Sequence, residues 1–110
     1  MKPAFEIARV EIGTVVVVLN GSGAALVHST LIEIKTSGVK FDAKDRGLLA
    51  KLGKEKPAVV LDMTDEGANR FCDLLEAGLD AGLRLQPMVY ALGERLAHRI
   101  EPGCYFGKAA

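Results

Sequence analysis

The stretch LIEIKTSGVKF, residues 31–41, holds the side chains whose types and spacing could most directly do chemistry. Glu33 and Lys35 are two positions apart, and on a β-strand such residues point to the same face of the sheet. A carboxylate there could bind Mg²⁺, while the neighbouring ammonium could orient an attacking water. The spacing predicts a hydrolytic metal site on a strand, but any strand with one polar face shows the same alternation. Both interpretations stay open.

This stretch resembles the (D/E)xK half of the PD-(D/E)xK nucleases. In that family the strand with the motif is followed by a helix and a further apolar strand, and here a predicted helix from Asp42 is followed by AVVLDM, residues 58–63. The resemblance covers residues 15–63. It implies a Mg²⁺-dependent nuclease with Glu33 and Lys35 in the catalytic site, and with Asp62 or Glu11 as the acid that joins Glu33 at the metal.

The chain also departs from the family pattern, which has an acidic residue on the preceding strand. Asn20 stands at the corresponding strand end, and no aspartate precedes Asp42 in the sequence. A neutral amide is a weaker ligand for Mg²⁺ than a carboxylate. The resemblance therefore implies an incomplete metal site, and a catalytically inactive relative is the companion interpretation.

Other polar residues do not form a catalytic or metal-binding pattern. The segment NGSG, residues 20–23, lacks the third glycine of a dinucleotide-binding fingerprint, and we predict that it is the turn of a hairpin. His28 is expected on the buried face of a strand, and His98 has no cysteine or aspartate at ligand spacing. Cys72 and Cys104 show neither a disulfide framework nor zinc spacing. No cofactor is predicted, and no metal outside the nuclease alternative.

The elements that would position these residues begin with β-strands. Residues 5–12, 15–19 and 25–36 predict a three-stranded antiparallel meander. Four consecutive valines make the second strand apolar on both faces, so we expect it in the centre of its sheet. On the third strand, Ile32 and Ile34 mark the buried face, and Glu33 and Lys35 the exposed one.

Helices are predicted for most of the remaining chain. Asp42 caps the first helix in a capping box with Asp45, Thr64 caps the second, and Pro87 lies in the first turn of the third. Residues 58–63 are a strand that we expect to make the sheet mixed, although the sequence leaves its direction open. Residues 83–86 are either a short strand or the start of the last helix. The predicted fold is α/β or α+β: one mixed sheet in the order β-β-β-α-β-α-(β)-α, with helices packed on it.

Composition indicates a single globular domain over residues 1–110, with a short C-terminal tail at residues 103–110. Of the 110 residues, 49% are hydrophobic and 25% are charged, as in an average domain. Aromatic residues make up 5%, which predicts an aliphatic core and argues against a base-stacking surface. The sequence has no secretory leader and no apolar run of membrane length, so we expect a cytoplasmic protein without membrane contact.

The net charge is zero, but the charges are unevenly distributed. Residues 35–56 hold seven basic and three acidic side chains, whereas residues 57–83 hold six acidic side chains and Arg70. These two blocks could face each other within the fold, pair between subunits, or give the surface a dipole. Nucleic-acid binding without chemistry is a minor hypothesis, and its candidate residues are Lys40, Lys44, Lys51 and Lys54.

The last helix and the tail have a composition that is typical of protein interfaces, with Tyr and Arg beside aliphatic residues. The predicted interaction residues are Met88, Tyr90, Arg95, Arg99, Tyr105 and Phe106. We therefore predict a small non-enzymatic protein-interaction or regulatory module. Its expected partner is another protein or a second copy of the chain, since small domains often protect a sheet edge by pairing. The nuclease is the alternative.

Overall fold

The computed structural model describes residues 4–54 and 56–100, apart from the side chains of Arg99 and Ile100. The elements along these residues are β1 (Phe5–Glu11), β2 (Thr14–Asn20), α1 (Gly21–Thr36), α2 (Ala43–Leu52), β3 (Ala58–Thr64), α3 (Asp65–Asp80) and α4 (Pro87–Ile100). The fold is α+β, with a three-stranded antiparallel sheet in the order β1-β2-β3 and four helices packed against it. The radius of gyration is 13.3 Å, which matches a single domain of this size.

The valine run forms the central strand of the sheet, as predicted. β2 pairs antiparallel with β1 on one side and with β3 on the other. Val15, Val17 and Leu19 are at most 1% exposed, and they alternate with half-buried residues. Because alternate residues point to opposite faces, this pattern shows that the helices cover one face of the sheet.

The third strand of the predicted meander is wrong, because residues 21–36 form helix α1. The segment NGSG is likewise not a hairpin turn: Asn20 caps α1, and its side-chain oxygen accepts a hydrogen bond from the backbone N–H of Gly23 at 2.7 Å. The buried residues now include Val27 and Leu31, while Ile32 is 41% exposed. A helix buries residues that are three and four positions apart, not alternate residues. Ile32 and Ile34 therefore do not share a buried face, as the predicted strand required.

Close packing explains two glycines of the NGSG segment. A Cβ atom on Gly23 would collide with the carbonyl of Ala4, and one on Gly21 would lie 3.1 Å from the carbonyl oxygen of Lys56. The N–H of Asn20 donates to the same Ala4 carbonyl at 3.0 Å. The start of α1 thus packs closely against two backbone segments, and the approach to Ala4 requires the absence of a side chain at Gly23.

β3 is separated from β2 by two helices, so the predicted contiguous meander is wrong. The predicted mixed sheet is also wrong, because β3 is antiparallel to β2. The prediction assumed one crossover helix, which would return the chain to the start of a parallel strand. Two successive helices instead bring it back to the end of β2, where Asn20 pairs with Ala58.

The order strand–helix–helix occurs twice, as β2-α1-α2 and as β3-α3-α4. Both strands have seven residues, and the helices that directly follow them have sixteen. Asn20 and Thr64 each end a strand, cap the next helix and accept a hydrogen bond from the glycine three positions later. The β2–β3 register, from Thr14↔Thr64 to Asn20↔Ala58, is unchanged when the two strands are exchanged. The two halves therefore share their element order, the lengths of their first two elements and the capping of their junctions, although the sequence shows no internal repeat.

The remaining sequence predictions for helices are confirmed. Asp42 and Asp45 form the capping box of α2, Thr64 caps α3, and α4 begins at Pro87. Residues 83–86 lie outside regular secondary structure and lead into α4. Among the described residues, the buried core is aliphatic apart from Met63 and Phe71. Within the described ranges, no helix has the length and hydrophobicity to cross a bilayer.

An ion pair between a buried carboxylate, Asp45, and a half-exposed guanidinium, Arg70, ties α2 to α3. Asp45 is 4% exposed and accepts hydrogen bonds from Arg70 Nη2 at 2.8 Å and from Arg70 Nε at 3.2 Å. Arg70 Nη2 also donates to the carbonyl of Lys40 at 3.1 Å. Burial by itself raises the pKa of Asp45, but the hydrogen bonds from Arg70 and from the Asp42 backbone outweigh it, so the pKa is lowered. The same pair raises the pKa of Arg70.

Replacing Arg70 by methionine is expected to destabilise the protein by about 1–3 kcal/mol at neutral pH, because Asp45 would keep a buried charge without its partner. A lowered folded-state pKa contributes stability that is present above the unfolded-state pKa of about 3.9 and is lost as the pH falls through the folded-state value. The difference in the free energy of unfolding between wild type and Arg70→Met should therefore become smaller in acid, where Asp45 is protonated. Urea unfolding at several pH values measures it, with Arg84→Met as the exposed control. A difference that does not depend on pH would contradict this account.

Gly23→Ala and Gly47→Ala form a matched pair of helix substitutions. Gly23→Ala should destabilise the protein by about 1–3 kcal/mol, because its Cβ would overlap the Ala4 backbone. A Cβ on Gly47, in α2, would meet no neighbouring atom within 4 Å, so Gly47→Ala should stabilise by about 0.5–1 kcal/mol. Thermal and urea unfolding test both, and equal effects would show that the close contact has no energetic role.

Candidate functional site

Glu33 and Lys35 lie near the C-terminal end of α1, and both are exposed. Residues two apart on an α-helix are separated by roughly 200° around its axis, so these side chains point to nearly opposite sides. The nuclease hypothesis placed Glu33 and Lys35 on the same face of a strand, but these residues lie on a helix. A catalytic role for either residue stays a prediction without its original geometric support.

Asp62, the predicted second metal ligand, is an exposed residue of β3. It alternates with the buried Leu61 and Met63, so it belongs to the sheet face away from the helices. Glu33 is on α1, which packs on the opposite face. In residues 4–54 and 56–100, no group of three or more His, Cys, Asp or Glu side chains is placed to hold a metal ion.

The predicted interaction residues of α4 differ in exposure. Met88 is half-buried against the core, whereas Tyr90 is 49% exposed. Tyr90 lines a groove of about 310 Å³ between α3 and α4, together with Leu79 and Leu85. Arg95 is exposed. The side chain of Arg99, and all of Tyr105 and Phe106, lie outside the described part of the chain, and their roles stay predictions.

The basic residues of the nucleic-acid hypothesis surround α2. All four of them, Lys40, Lys44, Lys51 and Lys54, are exposed. Lys44 and Lys51 are seven positions apart on α2 and so share a face of that helix. The other two flank its ends, and a nucleic-acid role for this group stays a prediction.

A cleft of about 400 Å³ lies between α2, the end of β3 and α3. Its lining includes Asp45 and Arg70, which bind each other, and the exposed carboxylates of Asp62 and Glu66. The guanidinium is already engaged by Asp45 and by the Lys40 carbonyl. Asp45 and Arg70 therefore have a structural role in this cleft, because their ion pair holds α2 against α3.

The sheet face away from the helices carries an aliphatic centre. Val16 and Val18 on β2 are half-buried, and Val60 on β3 is 49% exposed. The strand register arranges this face in rows across the sheet, of which two are Glu6–Val18–Val60 and Arg9–Val16–Asp62. An aliphatic strip with charged residues at its rim is typical of protein interfaces.

The backbone of β3 has hydrogen-bonding groups that point away from the sheet. Asn20 N–H donates to Ala4 and Asp65 N–H donates to Gly13, each at 3.0 Å, and these two bonds fix the alternation along β2 and β3. The β3 residues that face β2 are Val59, Leu61 and Met63. The residues that face the open edge are Ala58, Val60, Asp62 and Thr64, the last of which also caps α3. No backbone hydrogen bond from another described element reaches Ala58, Val60 or Asp62.

The two edges of the sheet differ in how they are protected. β1 has a register shift between Ile7 and Arg9, and it carries the charged residues Glu6, Arg9 and Glu11. Bulges and charges of this kind prevent an edge strand from pairing with another chain. β3 pairs with β2 without a register shift, and Asp62 is its one charged residue. The edge of β3 is thus the less protected of the two.

Sequence reasoning did not identify this surface. The signals available in the sequence were a short apolar strand with a single charge, Asp62, directly after Pro57. These signals are compatible with a central strand of a mixed sheet as well as with an edge strand. Whether a strand lies at an edge depends on the order of strands, which local sequence does not encode.

Comparison with protein-family models, with curated proteins and with solved structures found no match. The candidate site therefore rests on its geometry: an aliphatic sheet face next to the less protected edge of the sheet.

Mg²⁺ titration calorimetry at low salt tests the nuclease alternative with wild type, Glu33→Ala and Asp62→Ala. We expect the same small heats for all three proteins, because the two carboxylates lie on opposite sides of the sheet and single exposed carboxylates bind Mg²⁺ weakly. A binding isotherm that is lost in Glu33→Ala or in Asp62→Ala would restore the metal-site hypothesis.

Proposed function

We propose that this chain is a small non-enzymatic protein-interaction module, and that it binds its partner through the open side of its sheet. The observation that carries this proposal is the edge of β3, where Ala58, Val60 and Asp62 direct backbone donors and acceptors outwards. An extended segment that pairs with such an edge gains affinity from main-chain hydrogen bonds. Regulation by such binding is the cellular role that fits best.

The neighbouring side chains would supply specificity. Val60 belongs to the outer face, beside Val18, and both would contact the side chains of an added strand or of a chain laid over the sheet. Apolar positions at alternate residues select an amphipathic partner strand. Charged groups at the rim, including Arg9 and Asp62, would disfavour partners with the wrong charges.

The alternative, a Mg²⁺-dependent nuclease or its inactive relative with Glu33 and Lys35, retains only the sequence resemblance in its support. The helical geometry of α1 removes the shared face on which that chemistry depends.

Site-specific photo-cross-linking tests the proposed surface. A benzoylphenylalanine at position 60 should form a discrete adduct with a protein in the cells that make this chain. The matched control is position 32, because Ile32 is 41% exposed and Val60 is 49% exposed, and both are β-branched aliphatic residues. Ile32 lies on α1, away from the open side of the sheet.

An adduct at position 60 that is absent at position 32 is the expected result. No adduct at position 60, or equal adducts at both positions, would contradict the proposal. Mass spectrometry of the adduct shows whether the partner is the same chain or a different protein.

A further inference from the structure

We propose that the partner at this edge is a second copy of the chain, which pairs through β3 to form a continuous six-stranded antiparallel sheet. This inference rests on the proposed interaction function and names the partner. The twofold axis would be perpendicular to the sheet, so the helices of both copies would lie on the same side. The other edge, β1, carries the bulge and the charges that oppose such pairing.

The outward-facing residues fix the possible registers. In an antiparallel pair, residues that direct their backbone groups to the shared edge must lie opposite one another. A register centred on Asp62 would oppose two like charges, which is unfavourable. A register centred on Val60 opposes Val60 to Val60 of the second copy, and Asp62 to Ala58. Registers centred on Val59 or on Leu61 also align outward-facing residues, but the first pairs only Ala58 with Val60 within the strands, and the second places the two Asp62 carboxylates diagonally across from each other. We assign the register centred on Val60 because it pairs Ala58, Val60 and Asp62 and keeps the two carboxylates apart.

The charges around β3 are complementary under this pairing. Lys54 and Lys56 precede the strand, whereas Asp62, Asp65 and Glu66 end it or follow it. Antiparallel pairing brings the basic end of one copy to the acidic end of the other. Lys56 would lie diagonally across from Asp62 of the second copy, a separation that a long side chain spans. Members of the two opposite charge blocks of the sequence, those nearest to β3, thus meet between the subunits.

The same register completes the outer face. Val18 lies beside Val60 in each copy, so the joined sheet would carry a row of four valines, with Glu6 at each end. Pairing through one short strand buries less area than a standard interface of about 1,600 Å². We therefore expect a reversible dimer with a dissociation constant in the micromolar range.

Sedimentation equilibrium of the purified full chain measures this dimer. Wild type and Val60→Thr should associate, whereas Val60→Pro should weaken association by roughly tenfold or more, because proline removes an outward N–H. That N–H does not bond to β2, so the ladder within the subunit is kept, and circular dichroism checks the fold. A wild type that stays monomeric far above micromolar concentration would overturn the proposal.

A cysteine at position 60 tests the register without relying on the proline variant. In a background with Cys72→Ala and Cys104→Ala, Val60→Cys should form a disulfide-linked dimer on mild oxidation. Directly opposed residues in this geometry have Cα atoms about 5.5 Å apart, which suits a disulfide. Asp62→Cys is the control, because the proposed register places its two copies far apart. Linking at position 62 in preference to position 60 would overturn the assigned register.

Charge reversal gives a third readout. Lys56→Glu and Asp62→Lys should each weaken self-association, and an equimolar mixture of the two variants should form a heterodimer. A mixture that associates no better than either variant alone would contradict the charge pairing.

These results separate the two proposals. A photo-adduct between position 60 and a different protein, with a monomeric purified chain, supports the interaction function and overturns self-pairing. No adduct at position 60 together with a monomeric chain overturns both.

Discussion

Burial of one face of β2 is the constraint on which the rest of this structure depends. Val15, Val17 and Leu19 are essentially inaccessible to solvent, and the helices pack over them on one side. All four helices of the described residues pack on this face, and none of them covers the second face of the sheet. The aliphatic strip of Val16, Val18 and Val60 is the consequence. The open side of the sheet therefore follows from how this chain builds its core.

The junctions between strands and helices make this one-sided arrangement compact. Asn20 and Thr64 are each the last residue of a strand and the cap of the following helix, so no loop separates the two elements. The helix axis must turn back over the sheet at once, which brings its first turn against neighbouring backbone. Gly23 and Gly21 meet that requirement at the first junction. The Asp45–Arg70 pair then fixes α2 against α3.

Much of the fold could be predicted from the sequence because its signals were local. Four valines indicate a central strand, and Asp42 with Asp45 indicates a helix start, whatever the rest of the chain does. The segment that became α1 was ambiguous: its β-branched residues and its Ile-Glu-Ile-Lys alternation favour a strand, while Val27, Leu31 and Ile34 also have helical spacing. The packing of Val27, Leu31 and Ile34 in the core, which accompanies the helix, is tertiary and is not visible in one sequence.

The candidate site was less predictable than the fold for a related reason. Glu33 and Lys35 suggested chemistry only through an assumed strand, and their positions on a helix separate them. Whether β3 lies at an edge depends on the order of strands in the sheet. The predicted order was wrong because residues 25–36 were assigned to a strand. The wrong assignment of one element therefore affected the predicted site more than the predicted helices. The caps and apolar stripes of those helices do not depend on the structure of residues 25–36.

The position of β3 in the chain also bears on how the molecule folds. β1 and β2 form a local hairpin, but β2 pairs with β3 across α1 and α2, between residues 38 to 50 positions apart. Closing such a span is entropically costly and tends to come late. During synthesis, β1, β2 and the first two helices emerge before β3 exists. Until it arrives, the most apolar strand of the protein has an unpaired edge of its own, and this interval is when the nascent chain is most exposed to aggregation.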